Sequence, residues 1–188
     1  MSINSAKKEF IYWAHLLWER GLVTGRSGNM SQKTGQGILL TVTNCYLGLL
    51  KSSQIALVDG QGKLRQKEKV NLTSEKDLHL GIYRKFPKIN AVIHAHSIHT
   101  VGFFNYYSKL DILGFEARIH LDKLPVVPQF TPTVTKIEPV LAALEKNNIV
   151  VLKNHGVVAM GENFRLAFAL IEMLEEQAKV NLLLRGRR

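Results

Sequence analysis

The 188-residue chain carries 25 lysines and arginines against 15 acidic residues, a formal net charge of +10, with 46% hydrophobic residues. That balance excludes a generally disordered chain, and the length suits one well-buried core and a single domain over residues 1–188. No apolar stretch approaches the roughly 20 residues needed to cross a bilayer. The opening Met1-Ser-Ile-Asn-Ser-Ala-Lys-Lys-Glu meets charges before any apolar core, unlike a secretory leader. The single cysteine, Cys45, leaves no internal disulfide and suits a reducing cytoplasm. Basic residues are spread along the chain except for Arg185-Gly-Arg-Arg188, and no nucleic-acid motif accompanies them. The charge reads as a basic surface that aids solubility, or as attraction for a small anionic substrate, in preference to a nucleic-acid footprint, and no membrane partner is expected.

In chain order, Ala6, Phe10, Trp13 and Leu17 recur at helical spacing, with Ser5 as the expected cap and Gly21 as the stop. A Gly-rich loop, Gly25-Arg-Ser-Gly-Asn29, leads to a strand over Gly37 to Thr43. Ile55-Ala-Leu-Val58 reads as a strand entering a turn at Asp59-Gly60, with a hairpin continuing at Lys63. A helix opens at Thr73 or Ser74, holds Glu75 and Asp77 in its first turn, and stops at Pro87. The apolar run Asn90-Ala-Val-Ile is a strand, followed by a helix near Ile98 to Tyr107. Residues 108 to 135, with three prolines, show no regular pattern. A helix over Ile137 to Asn147, strands at Ile149 and Val157, and a long helix from Asn163 to about Leu184 complete the chain. The breadth of that last helix's apolar surface points to a part facing another subunit. Interleaved strands and helices make the class α/β, and the hairpin favours a mixed or antiparallel sheet.

His94-Ala-His96 closes the Asn90 strand. Side chains two apart on a strand share a face, so these imidazoles can grip one metal ion. His155, in a Gly-flanked turn after another apolar run, could complete the set. Three histidines leave a tetrahedral ion one open position, the arrangement of a reactive metal. The competing reading is that the three merely fall near one another. His99 could be a fourth ligand, although it lies in the next helix, and His15, His79 and His120 have no such context. Glu75 is either an ordinary first-turn acidic residue or a base beside the metal. Gly28-Asn29 and Thr73-Ser74 offer close backbone approach and free helix N–H groups, which suit a phosphate or simply a turn and a cap.

Together, Ser27-Gly28-Asn29-Met-Ser31, Leu40-Thr-Val-Thr43, Asp59-Gly60-x-Gly62, Thr73-Ser74-Glu75, His94-Ala-His96-Ser97 and Asn154-His155-Gly156 resemble the class II aldolase/adducin family from the first helix to about Lys179. The resemblance implies a three-layer α/β fold, with a central, mostly antiparallel sheet flanked by helices. It also implies a cytoplasmic homotetramer with active sites between subunits, and zinc on His94, His96 and His155. By the same resemblance Glu75 is the acid/base residue, and Gly28, Asn29, Thr43, Asn44, Thr73 and Ser74 form a phosphate pocket. The implied activity is a zinc-dependent aldehyde-lyase that cleaves a small ketose phosphate to dihydroxyacetone phosphate and an aldehyde. A sugar-phosphate dehydratase of the methylthioribulose-1-phosphate type, an epimerase, and a non-catalytic adducin-like interaction domain are the alternatives. The chain departs from the family's aldolases at Asn44, where they usually carry Gly, and at Arg26, where a small or hydroxyl residue is usual. It also carries Phe115 where the resemblance puts a tyrosine from the neighbouring subunit as the acid that exchanges a proton with the aldehyde oxygen.

Overall fold

The computed structural model describes residues 2–186; Arg187 and Arg188 of the basic tail cluster lie outside the described residues. Helix α1, Ile3–Glu19, buries Ala6, Phe10, Ala14 and Leu17, one stripe at helical spacing. Its cap is Ser2, whose hydroxyl accepts from Ser5 N–H at 3.2 Å, so the expected cap at Ser5 sits one turn too late. Strand β1, Asn29–Thr34, follows where a loop alone is expected. Its sequence is polar because only Met30 and Ser31 are buried; pairing with β2 on one side and β4 on the other makes it a strand.

Strands β2, Gly37–Thr41, and β3, Ile55–Val58, pair antiparallel. The hairpin expected after Asp59-Gly60 shrinks to a closed turn and one bridge, Val58 to Leu64, rather than a continuing strand. Helix α2, Lys76–Lys85, starts later than Thr73 or Ser74 and has Glu75 at its N-cap; it ends before Pro87, which cannot follow a helical residue comfortably. Strand β4, Ala91–Ala95, leads into α3, Ile98–Tyr106. The patternless stretch contains a short helix, α4, Phe115–Leu121, and strand β5, Val126–Pro128. Helix α5, Glu138–Ala143, is shorter than expected, and β6, Ile149–Lys153, and β7, Gly156–Gly161, form a tight hairpin before α6, Phe164–Arg185.

The seven strands run in the order β3-β2-β1-β4-β7-β6-β5, all antiparallel except the β5–β6 pair. Alternation along β4 sorts its side chains between two apolar layers. Ala91, Ile93 and Ala95 pack with α1, α3, α4 and α6, whereas Val92 packs with α2 and α5. The result is the expected three-layer α/β fold. His94 and His96 follow the parity of Val92, which turns them towards the layer that holds Glu75. No helix among the described residues is long and apolar enough to cross a membrane.

Candidate active site

The central strand ends in the histidine pair. His94 lies opposite Asn29 of β1 and Val158 of β7, and it is fully buried. His155 comes to the same place from the β6–β7 turn. That turn is closed by His155 N–H donating to Leu152 O at 3.0 Å, with Asn154 at φ 67°, a left-handed conformation that asparagine tolerates. The turn can approach because the next residue is Gly156: a Cβ there would lie 2.4 Å from Ala95 O and 3.1 Å from the His94 and His96 rings.

The three imidazoles converge through their Nε2 atoms. His94 Nε2 is 2.9 Å from His96 Nε2 and 3.0 Å from His155 Nε2. His94 Nδ1 lies 3.0 Å from Val157 O, a contact that places its proton on Nδ1 and leaves the Nε2 lone pair facing its neighbours. Burial, reinforced by His94 and His155 and opposed by Glu75, pushes His96 down to about 3; burial and His94 likewise lower His155. Nitrogen lone pairs aimed together repel one another unless a cation sits among them. The set fits a metal bonded at about 2.0–2.1 Å to each nitrogen. His99 is not part of it: its backbone N–H and Nδ1 both meet Glu175 Oε1, at 2.9 and 2.7 Å.

Glu75 sits at the α2 N-cap, yet its side chain makes no capping bond. It turns instead to the histidines, with Oε2 3.3 Å from His94 Nε2 and Oε1 3.6 Å from His155 Nε2. The carboxylate is 3% exposed and accepts from Asn29 Nδ2 at 2.9 Å and from Val134 N–H at 3.1 Å. Burial alone would raise its pKa; His94, the Asn29 amide, the Val134 N–H and His155 outweigh burial and hold the carboxyl down to about 2.

A cavity of about 160 Å³ opens beside this cluster. All six residues expected to bind phosphate, Gly28, Asn29, Thr43, Asn44, Thr73 and Ser74, line it, together with Arg26, Glu75, His96 and His155. Gly28, at φ +81°, lets the loop lie against β4: a Cβ would meet His94 O at 2.8 Å. Phe115 is 81% exposed at the start of α4 and is not among the cavity's lining residues. A larger hollow of about 1000 Å³, rimmed by Lys85, Lys88, Lys123 and Lys146, gathers no comparable set of buried polar groups. The smaller cavity is where the chemistry converges.

Two contributors to the site escape a reading of the sequence. Val134 reaches Glu75 from the patternless stretch, through a backbone N–H that no side-chain pattern marks. His79 is completely buried and lies 2.5 Å through Nε2 from Asn29 Oδ1, although by sequence it lacks context. Its spacing from Glu75, one helical turn on, was the available signal.

Helices on both faces of a mostly antiparallel sheet thus frame a small polar cavity beside three histidines and a carboxylate. Residues 8–182 match the class II aldolase and adducin N-terminal domain, and the chain belongs to that family. It is 40% identical over 177 residues to an L-fuculose phosphate aldolase of Methanocaldococcus jannaschii, covering 94% of this chain and 96% of that one. It is 32% identical over 195 residues to a 3-oxo-tetronate 4-phosphate decarboxylase of Pectobacterium atrosepticum, covering 100% and 88% of the two chains. The crystal structure of L-fuculose-1-phosphate aldolase from Thermus thermophilus superimposes with a TM-score of 0.84 at 26% identity, covering 96% of this chain and 95% of that one.

Proposed function

We propose that the protein is a zinc-dependent aldehyde-lyase that cleaves a small ketose phosphate to dihydroxyacetone phosphate and an aldehyde. The observation that carries the reading is the Glu75 carboxylate, 3.3 and 3.6 Å from two of three converging imidazoles on the wall of an anion-suited cavity. His94, His96 and His155 would hold the zinc. A bound zinc supplies a Lewis acid that stabilises negative charge developing on the substrate's carbonyl side. Glu75 moves the proton at the carbon next to that carbonyl, within reach because its own hydrogen bonds hold it against the histidines. Thr73, Ser74, Thr43, Asn44 and the Gly28-Asn29 turn bind the phosphate away from the bond being broken and so fix orientation.

The reading extends to a cytoplasmic homotetramer with active sites between subunits. Tyr106, Phe115, Ile119 and Phe130 are 79–90% exposed, which supports a face covered by another copy.

One observation favours a second reaction on the same site. Phenylalanine at position 115 cannot take the proton that the substrate hydroxyl gives up as it becomes the aldehyde, whereas loss of carbon dioxide from a carboxylate has no such proton to move, and decarboxylases are among the relatives that span the chain. The test is a screen of ketose phosphates and 3-oxo acid phosphates against zinc-loaded protein, following dihydroxyacetone phosphate, water loss and carbon dioxide separately. Release of dihydroxyacetone phosphate is the expected result; carbon dioxide as the main product would replace the lyase by the decarboxylase, and no turnover of either class would remove both.

A further inference from the structure

Behind Glu75 runs a row of polar groups in which His79, Ser31 and Tyr83 are buried and have no part in the proposed chemistry. Glu75, His79 and Tyr83 stand one turn apart along α2, so they form a single stripe facing β1. Asn29 and Ser31, two apart on β1, face that stripe. The two sets interleave. Asn29 lies between Glu75 and His79, at 2.9 and 2.5 Å, and Ser31 lies between His79 and Tyr83, at 2.7 and 2.8 Å. His79 and Ser31 have no exposed surface at all.

The chemistry of the groups fixes where every proton goes. An ionised carboxylate only accepts, so Asn29 must present its NH₂ to Glu75 and its carbonyl to His79. His79 must then donate from Nε2, which leaves Nδ1 as a lone pair accepting from the Ser31 hydroxyl. Ser31 has spent its one proton, so Tyr83 donates to it. All four donors point towards the carboxylate, an arrangement in which each bond polarises the next. Burial pushes the His79 imidazole down to about 3, against the pull of Glu75 and with the help of His94, so the ring stays neutral and keeps this direction.

We infer that His79 is a positioning residue for the reaction: its Nε2–H locks the Asn29 amide so that the NH₂ group, not the carbonyl, holds Glu75 against the three histidines. The inference rests on Glu75 being the group that moves the proton. Without the Nε2 donor, the Asn29 carbonyl loses its partner and the amide is free to turn its oxygen to the carboxylate. Two acceptors would then face each other, and Glu75 would swing from its place. The Asn29 amide is engaged by Glu75 and His79 on its two sides, which leaves the backbone of the Gly28-Asn29 turn to meet the phosphate, so the effect falls on turnover more than on binding.

Two measurements test this. Nitrogen-15 NMR of the zinc-loaded native protein at neutral pH should show His79 protonated on Nε2 and bare on Nδ1; the other tautomer or an imidazolium would overturn the inference. In zinc-loaded variants, kcat for the substrate found in the screen should fall about 10- to 100-fold in His79→Phe while KM and zinc content hold. His79→Gln, which still offers a donor near the Nε2 position, should recover most of that loss. Equal losses in the two variants that track a fall in Tm would assign His79 a merely structural role and reject the proposal. Glu75→Gln runs alongside. If it is inactive while His79→Phe is fully active, this inference alone fails; if Glu75→Gln is itself fully active, the reading of Glu75 fails with it.

Discussion

Asn29 and His94 are direct partners across the β1–β4 ladder, so a single register fixes the anion-cavity turn against the strand that carries the histidine pair. Gly28 is the hinge of that contact. Gly28→Ala adds a Cβ 2.8 Å from His94 O at a φ of +81°, so the loop must back away from β4. A loss of about 1–3 kcal/mol in thermal unfolding is expected, together with weaker zinc retention. Unchanged Tm and metal content would show that the loop can yield without cost.

Purified protein should hold about one zinc per chain, and His94→Ala should lose it. Glu75→Gln should keep the metal and lose turnover by about 100-fold or more. Metal analysis beside steady-state rates separates the two. Metal-free protein that gains nothing from added zinc would remove the site, and an active Glu75→Gln would remove the acid/base role.

Arg26 is one of the residues that line the small cavity. If it grips the phosphate, Arg26→Ala should raise KM about 10-fold or more with little change in kcat, the mark of binding shared by ground and transition states. Added salt should shrink the difference. A variant with improved KM would show instead that Arg26 crowds the cavity.

His79 sets a pH dependence of stability. Its pKa is lowered from 6.5 to about 3 by burial above all, with His94 adding to the fall and Glu75 opposing it. Between those values the unfolded chain takes up a proton that the folded chain refuses. Its contribution to stability is therefore complete above about pH 6.5 and is lost as pH falls towards 3. Denaturant titrations over that window should show a shallower decline for His79→Phe than for the native protein; parallel declines would mean that other groups carry the effect.

Glu175 on α6 serves as the cap of α3, a helix whose own Ser97 makes no capping bond. Its two oxygens accept from His99 N–H, His99 Nδ1, Thr100 N–H and the Thr100 hydroxyl at 2.7–2.9 Å. Glu175→Leu should cost about 3 kcal/mol, read as a lower denaturant midpoint, because it strands several donors at a helix N-terminus. A change under about 0.5 kcal/mol would mean that water replaces the carboxylate fully.

Much of the fold is legible in the sequence because apolar spacing marks the helices and unbroken apolar runs mark the buried strands. The helices at Ile3 and Phe164 and the strands at Ala91, Ile149 and Gly156 all declare themselves that way. Strand β1 does not, since its inward residues Asn29 and Ser31 belong to a polar row whose partners lie 46 to 52 residues away. β5 is three residues long, too short for any period to show. The three histidines are conspicuous in sequence and meet in space. His79 is inconspicuous because its partners sit on another strand, and Val134 because only its backbone takes part.

The strand order also decides when the site comes into being as the chain folds. His94 and His155 are 61 residues apart and meet only after β4 and β7 have paired; Glu75 and Val134, 59 apart, meet only once α2 and the segment after β5 are both in place. Contacts at such separations close late. A piece of the chain that ends before His155 lacks the third histidine, so a metal that needs all three would enter only after the β6–β7 hairpin is made. A chelator should accordingly take it out again and leave the fold standing.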